Sequence, residues 1–79
     1  LAAPTLTNTS NTVTFTAADA DGVKYTVDGS DPKTSATATT VLAAAFNTGV
    51  TLTAGQTMRA YAYATGYVNS PISETSYSA

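Results

Sequence analysis

The chain has 79 residues, three Lys and Arg against five Asp and Glu, a formal net charge of −2, and no cysteine or histidine. This length supports one small domain, so we predict that residues 1–79 form a single domain with a thin core. No disulfide can form, and the commonest general base and transition-metal ligand is missing. Three basic side chains cannot neutralise a phosphate backbone, and no apolar run approaches about 18 residues, so neither nucleic acid nor membrane insertion is expected.

The first residues predict two strands. A short edge strand is expected over 2–8, where Pro4 is tolerated because an edge N–H need not pair. A turn at 10–11 leads to the clearest strand, 12–17, in which threonines alternate with apolar side chains. The core candidates of these two strands are the apolar residues of one parity: Leu6, Val13 and Phe15.

A strand that stops at a compact turn is the most distinctive local pattern. Polar and apolar residues alternate from Val23 to Val27, which places Val23, Tyr25 and Val27 on one face and Lys24 and Thr26 on the other.

The turn that follows this strand is built from Asp28, Gly29, Asp31 and Pro32. The Asp28 carboxylate can accept hydrogen bonds from the backbone just ahead of it, Gly29 can adopt positive φ, and Pro32 removes a donor and ends the ladder. We interpret these four residues as a structural turn rather than as a metal site or an acid–base pair.

A second acidic turn, Asp19-Ala20-Asp21-Gly22, precedes this strand. Two carboxylates two residues apart before a glycine resemble the start of a calcium loop, but the remaining ligands do not follow at the required spacing. We therefore predict no metal site, unless Asp28 or Asp31 folds alongside.

The centre of the chain is ambiguous. The residues Thr37, Thr39 and Val41 could form a strand, whereas the alanine-rich run 41–46 could form one helical turn. We favour a strand followed by a loop, with Phe46 buried after it.

The last third predicts three more strands. Residues 50–53 alternate with Val50 and Leu52 inward, and a turn at 54–56 leads to the longest strand, 57–65. Its inward face is Met58, Ala60, Ala62 and Ala64, and its outward face is Arg59, Tyr61 and Tyr63. A final strand is expected over 72–78, with a bulge near Pro71 if both Ile72 and Tyr77 are buried. About seven short strands at this spacing predict an all-β fold, an immunoglobulin or fibronectin III-like Greek-key β-sandwich.

Several stretches together resemble a known family. They are the run Tyr25-Thr26-Val27-Asp28-Gly29-Ser30-Asp31-Pro32, then 50–55, then 58–63 followed by Gly66-Tyr67, and finally Ser70, Pro71 and Tyr77. In order and approximate spacing they resemble the immunoglobulin-like or fibronectin III-like module at the C-terminus of chitobiase and β-hexosaminidase, over roughly residues 13 to 78. The run 36–45 is longer and richer in alanine than the corresponding link of that family. The resemblance implies a non-catalytic accessory module.

Catalysis is not expected. The carboxylates available for acid–base chemistry are Asp19, Asp21, Asp28, Asp31 and Glu74, and four of them lie in predicted turns. A serine nucleophile would lack a histidine base, and no Ser–Lys motif is present. We predict no enzyme activity, no catalytic residue and no cofactor.

The candidate contact residues are Tyr61, Tyr63 and Tyr67, with Arg59 beside them. Flat aromatic faces stack on sugar rings, so these residues could bind carbohydrate, although they could equally cover the sheet or pack against a neighbouring domain.

Two functions follow from this interpretation. The first is an accessory module of a larger secreted or cell-surface protein, acting as a spacer or interaction domain with weak carbohydrate binding. The second is an immunoglobulin-like decoration domain of a phage virion, displayed on the particle surface and aiding adhesion to the host. Because the chain begins at Leu1 rather than at Met, we expect it to be part of a larger protein. The expected partners are neighbouring domains, copies in an assembly, or a glycan.

Overall fold

The computed structural model describes residues 1–9, 11–36 and 38–77. Within these residues the chain forms seven strands and one short 3₁₀ helix. In chain order they are β1 (Thr5–Thr9), β2 (Thr12–Thr16), β3 (Gly22–Thr26), β4 (Thr39–Leu42), the 3₁₀ helix (Ala43–Ala45), β5 (Val50–Thr51), β6 (Thr57–Tyr63) and β7 (Ser73–Ser76). The predicted turn at Ser10-Asn11 and the predicted strand positions Thr37 and Ser78 include residues outside the described ranges.

The strands form two antiparallel sheets. One has the order β1-β2-β5, and the other has the order β4-β3-β6-β7. The chain passes from one sheet to the other after β2, after β4 and after β5, so strands that are consecutive in sequence often lie in different layers. This is a Greek-key β-sandwich of the immunoglobulin and fibronectin III-like type, and the predicted fold class is confirmed.

The core lies between the two sheets. Small residues on β6 leave room for rings on the neighbouring elements: Phe15 lies 5.8 Å from Tyr25 and 6.1 Å from Phe46, measured between ring centroids. The alternation in the sequence correctly identified the core-facing side of β2, β3 and β6, although Thr26 of β3 and Tyr61 of β6 are buried on the opposite side. The buried cluster consists of Val13, Phe15, Val23, Phe46, Leu52, Met58, Ala60 and Ala62.

Several strands are shorter than the sequence pattern predicts. The first strand begins at Thr5, so Pro4 is buried outside it rather than being part of an edge strand. The longest strand ends at Tyr63, because the chain turns at once and the Tyr67 N–H donates to the carbonyl of Ala64. Ala64 is therefore only half-buried and does not extend the inward row of β6.

The central connection contains both of the structures that the sequence allowed. Strand β4 pairs with β3, and the 3₁₀ helix follows directly, closed by a hydrogen bond of 3.2 Å from the Phe46 N–H to the carbonyl of Ala43. The preferred prediction of a strand followed by a loop was incomplete, because three consecutive alanines continue into a helical turn. Phe46 is buried as predicted, and its carbonyl accepts from the Phe15 N–H.

The turn after β3 is held by its own side chains. The Asp28 carboxylate accepts from the Ser30 N–H at 3.1 Å and from the Ser30 hydroxyl at 2.6 Å, and Gly29 has φ of 80°. The Thr26 hydroxyl donates to the carbonyl of Ser30 at 2.7 Å, so Thr26 is buried although its parity points away from the core. The carboxylate of Asp31 accepts from the backbone N–H of the second residue ahead of it. The Asp28 and Asp31 carboxylates therefore hold the backbone of this turn.

Between β6 and β7 a serine replaces the missing strand pairing. The Ser70 hydroxyl accepts from the Ala62 N–H at 2.7 Å and donates to the carbonyl of Pro71, while the Ser70 N–H donates to the carbonyl of Ala62. Since Pro71 has no N–H, regular pairing starts only at Ser73. Tyr77 packs against the core and Ile72 is not among the residues that do, so the condition for the predicted bulge is not met.

The hydrogen bonds from Ser30, chiefly the one from its hydroxyl, hold the pKa of the Asp28 carboxyl below its ordinary value of 3.8. A carboxyl whose pKa is lowered by folding stabilises the fold above its unfolded pKa, and this contribution disappears as the pH falls through the folded pKa. We expect the thermal midpoint to decrease below about pH 4 more steeply in the parent than in Asp28→Asn, which keeps an acceptor oxygen but does not titrate. Thermal melts by circular dichroism between pH 5 and pH 2 test this, and parallel curves for the two proteins would contradict it.

The Ser70 hydroxyl satisfies a buried backbone group, so Ser70→Ala is expected to reduce the free energy of unfolding by about 1–3 kcal/mol. Urea unfolding measures the loss. Ser76→Ala is the matched control, because the Ser76 side chain is exposed, and it should change stability by no more than about 0.5 kcal/mol. Equal effects of the two substitutions would show that the Ser70 contacts do not stabilise the fold.

Candidate functional site

Three of the four candidate contact residues, Arg59, Tyr61 and Tyr63, lie on the solvent side of the four-stranded sheet, which we call the outer face. It is formed by the residues of β3, β4, β6 and β7 that have the parity facing away from the core: Gly22, Lys24, Thr26, Thr40, Leu42, Thr57, Arg59, Tyr61, Tyr63, Glu74 and Ser76. The strand register arranges most of these side chains in rows across the sheet. Arg59 lies between Thr26 and Glu74, Lys24 lies between Tyr61 and Thr40, and Gly22 lies between Tyr63 and Leu42.

Tyr61 is on the outer face, as its parity predicted, but it is not open to solvent. The residue is only 6% exposed. The Lys33 side chain, which follows the turn after β3, lies over it, with the ammonium 5.6 Å from the centre of the ring. Tyr61 therefore does not present a free aromatic face on which a sugar ring could stack.

Tyr63 is half-buried and lies across a glycine of the next strand. A Cβ atom built on Gly22 would be 2.6 Å from the Tyr63 hydroxyl oxygen and 2.9 Å from the ring carbon that carries it. The Lys24 ammonium lies 5.7 Å from the centre of the same ring. One side of Tyr63 thus rests on the backbone of β3, and a cation stands over the ring.

The remaining two candidates, Arg59 and Tyr67, lie on β6 itself and in the loop that follows it. Arg59 is committed to an ion pair in which its Nε lies 2.9 Å from a carboxylate oxygen of Glu74. Tyr67 is 56% exposed but belongs to the loop after β6, next to Val68, which is 83% exposed. The structure brings Tyr61 and Tyr63 together with Arg59 on one strand and leaves Tyr67 at the end of the sandwich.

Lys24 and Lys33 are the two residues at this face that the sequence pattern did not identify as contacts. The parity of Lys24 could be read from the alternation, but its position over Tyr63 depends on the register between β3 and β6. Lys33 follows a turn, and no periodic pattern indicates that its side chain returns over Tyr61. The composition did contain a signal for them. The chain has only three basic side chains, and each of the three makes contact with a residue of the outer face.

The carboxylates do not assemble into a reactive centre. Four of them accept structural bonds: Asp21 from the Thr65 N–H, Asp28 from Ser30, Asp31 from the Lys33 N–H, and Glu74 from Arg59. The described part of the chain contains no group of three or more acidic side chains that could hold a metal ion. No helix formed by the described residues is long and apolar enough to span a bilayer.

Comparison with known proteins identifies the family of the chain. A family model described as "Fn3 associated" matches residues 12–77, which include every strand from β2 to β7. No curated protein and no solved structure matches the chain. The resemblance inferred from the sequence is confirmed at the level of a fibronectin III-associated domain.

Gly22 is required by close approach. A Cβ atom there would also be 2.8 Å from the carbonyl oxygen of Val41, which cannot move without shifting β4. We expect Gly22→Ala to reduce the free energy of unfolding by about 1–3 kcal/mol and to displace the Tyr63 ring. Chemical denaturation and the ring proton shifts of Tyr63 measure the two effects. In a Tyr63→Ser background, Gly22→Ala should still reduce the free energy of unfolding, but by less, because the clash with the Val41 carbonyl remains. If Gly22→Ala alone left the free energy of unfolding unchanged, close approach would not be the reason for this glycine.

Proposed function

Since the chain belongs to the family described as Fn3 associated, we propose that it is a non-catalytic accessory module that acts as an in-line spacer and interaction domain of a larger protein. The observation that carries this proposal is the placement of its two ends. In an in-line spacer, the polypeptide enters at one end, or pole, of the sandwich and leaves at the opposite pole.

The two ends of the described chain contact opposite ends of β6. The Leu1 amino group donates to the carbonyl of Val68, in the loop that follows β6. Tyr77 exchanges backbone hydrogen bonds with Gly55 and Gln56, in the turn that precedes β6. The seven residues of β6 lie between these contacts, a span of roughly 20 Å at the usual rise of a strand.

The contacts between the first and last strands support the same geometry. The Ser73 hydroxyl donates to the carbonyl of Pro4 at 2.5 Å, and the Asn8 amide donates to the carbonyl of Ser76 at 3.1 Å. The pairs 4–73 and 8–76 advance in the same direction, so β1 and β7 run side by side and parallel. Parallel first and last strands place their outer ends at opposite poles.

The non-catalytic part of the proposal rests on the chemistry of the side chains. The sequence has no histidine or cysteine, and the carboxylates of Asp21, Asp28, Asp31 and Glu74 already accept hydrogen bonds or an ion pair. Of these, the Asp28 carboxylate accepts from a serine hydroxyl, that of Ser30, but this bond holds the pKa of the carboxyl below its ordinary value and makes it a weak base.

We extend the proposal to the context of the module. Its residues resemble the C-terminal module of chitobiase and β-hexosaminidase, which supports a secreted or cell-surface parent protein. A virion surface is the alternative context, since a decoration domain needs the same projection from its attachment point. The sequence flanking the module distinguishes the two: a glycosidase domain supports the first and a capsid or tail domain the second.

The absence of cysteine allows the end-to-end geometry to be measured directly. The variant with Ala2→Cys and Ser76→Cys carries two exposed attachment points for spin labels. Double electron–electron resonance should give one narrow distance distribution centred at roughly 20 Å or more, as the strand rise over residues 2–8 requires. A distribution centred below about 15 Å would place both ends at one pole and would overturn the spacer proposal.

The functional test uses the parent polypeptide. Deleting the module should shorten the maximum dimension seen by small-angle scattering by roughly 20 Å or more, while any catalytic constants of the neighbouring domains stay unchanged. Loss of a neighbour's catalytic constants on deletion would contradict the non-catalytic assignment.

A further inference from the structure

We propose that the outer face binds the carboxylate groups of an acidic polysaccharide, with the Lys24 and Lys33 ammonium groups as its contacts. This goes beyond the spacer role and does not depend on it, because it concerns one side of the sandwich rather than the placement of its ends.

The distribution of charge is the first argument. Although the chain carries a net charge of −2, its three basic side chains gather on the outer face: Lys24 on β3, Arg59 on β6, and Lys33 reaching over Tyr61. Arg59 is neutralised by Glu74. Among the described residues, neither lysine ammonium lies within ion-pair distance of a carboxylate. The outer face therefore offers two uncompensated positive charges on an otherwise acidic molecule.

The way in which the lysines are held is the second argument. Each ammonium stands over a tyrosine ring, at 5.6 Å for Lys33 on Tyr61 and at 5.7 Å for Lys24 on Tyr63. The two rings are two residues apart on one face of β6, a spacing of about 7 Å. A flexible side chain that is already held in place loses less conformational entropy when it binds a ligand. The two lysine ammonium groups are therefore pre-organised for two anionic groups at a spacing similar to that of the rings.

The same contacts argue against a neutral sugar. Stacking needs an open ring face, but Tyr61 is 6% exposed beneath Lys33, and Tyr63 lies between Gly22 and Lys24. A ligand that approaches these rings meets the ammonium groups first. The ligand is thus recognised by its charge.

A polysaccharide fits this face better than a folded protein does. A protein interface has a desolvated apolar centre. Among the large apolar residues that are exposed, Leu42 lies on the outer face, whereas Tyr67 and Val68 lie in the loop after β6. One leucine does not form such a centre. Lys24 has the hydroxyl groups of Thr40 and Tyr63 as neighbours, and these can bond sugar hydroxyls. The carboxylate nearest to Lys33 in sequence, that of Asp31, already accepts from the Lys33 backbone N–H.

The test is a titration of the 79-residue chain with polygalacturonate, followed by nuclear magnetic resonance at low ionic strength. Binding should perturb the resonances of Lys24, Tyr61 and Tyr63 and should weaken as salt is added. The dissociation constant of the double variant Lys24→Gln, Lys33→Gln for polygalacturonate should be at least about fourfold higher. This corresponds to a loss of about twofold or more for each exposed pair of a lysine with a ligand carboxylate. Lys24→Arg with Lys33→Arg should retain binding and excludes misfolding as the cause of the loss.

The matched control is the double variant Asn47→Asp, Thr48→Asp, which lowers the net charge by the same two units at exposed positions between the 3₁₀ helix and β5, outside the outer face. It should bind nearly as the parent does, and a loss equal to that of the lysine variant would reduce the effect to net charge and overturn the assignment. Absence of binding by the parent at low salt would also overturn it. Dextran, a neutral polysaccharide, should not bind. Polyglutamate that binds as tightly as polygalacturonate would show a general anionic or protein partner and would contradict the proposed polysaccharide.

Discussion

Both surfaces of the four-stranded sheet depend on the pairing of β3 with β6. On the core side this register places Val23 beside Ala62 and Tyr25 beside Ala60, so that large and small side chains alternate across the layer. On the other side it places Lys24 beside Tyr61. Because side chains alternate with a period of two, a slip by one residue would bury the polar row and expose the apolar one. The packing of the core therefore also determines the arrangement of the outer face.

A cysteine-free sandwich must hold its sheets together without covalent links, and here polar contacts along one edge contribute. Ser73 and Ser76 of β7 bond to Pro4 and Asn8 at the first strand, which lies in the other sheet. These bonds bring β1 and β7 side by side and supplement the burial of the rings between the layers. They also separate the two ends of the chain, so the same contacts serve stability and the proposed spacer role.

The tyrosines of β6 illustrate why a sandwich fold does not by itself reveal a function. A row of aromatic residues on an outward strand face indicates a stacking surface for sugars. In this protein the rings instead support two lysines, one from the adjacent strand and one from a turn. With the same residue types on β6, the outer face therefore presents two ammonium groups held over the rings, and not an open apolar plane.

Local physics explains which features the sequence determined. The alternation of Val13 with Phe15 and of Val23 with Tyr25, the bonds that Asp28 makes to Ser30, and the positive φ of Gly29 all follow from neighbouring residues, so strands, buried faces and the turn could be predicted.

Strand ends and surface exposure follow from contacts between distant residues. Ser70 interrupts the pairing of β6 with β7, and Lys33 covers Tyr61 from a different element. A parity rule reports which way a side chain points, but not what lies over it. The sequence by itself determined the all-β sandwich, its core and its turn. Only the tertiary structure decided which tyrosines are open and where the cations gather, because those properties arise from the strand register and the path of the loops.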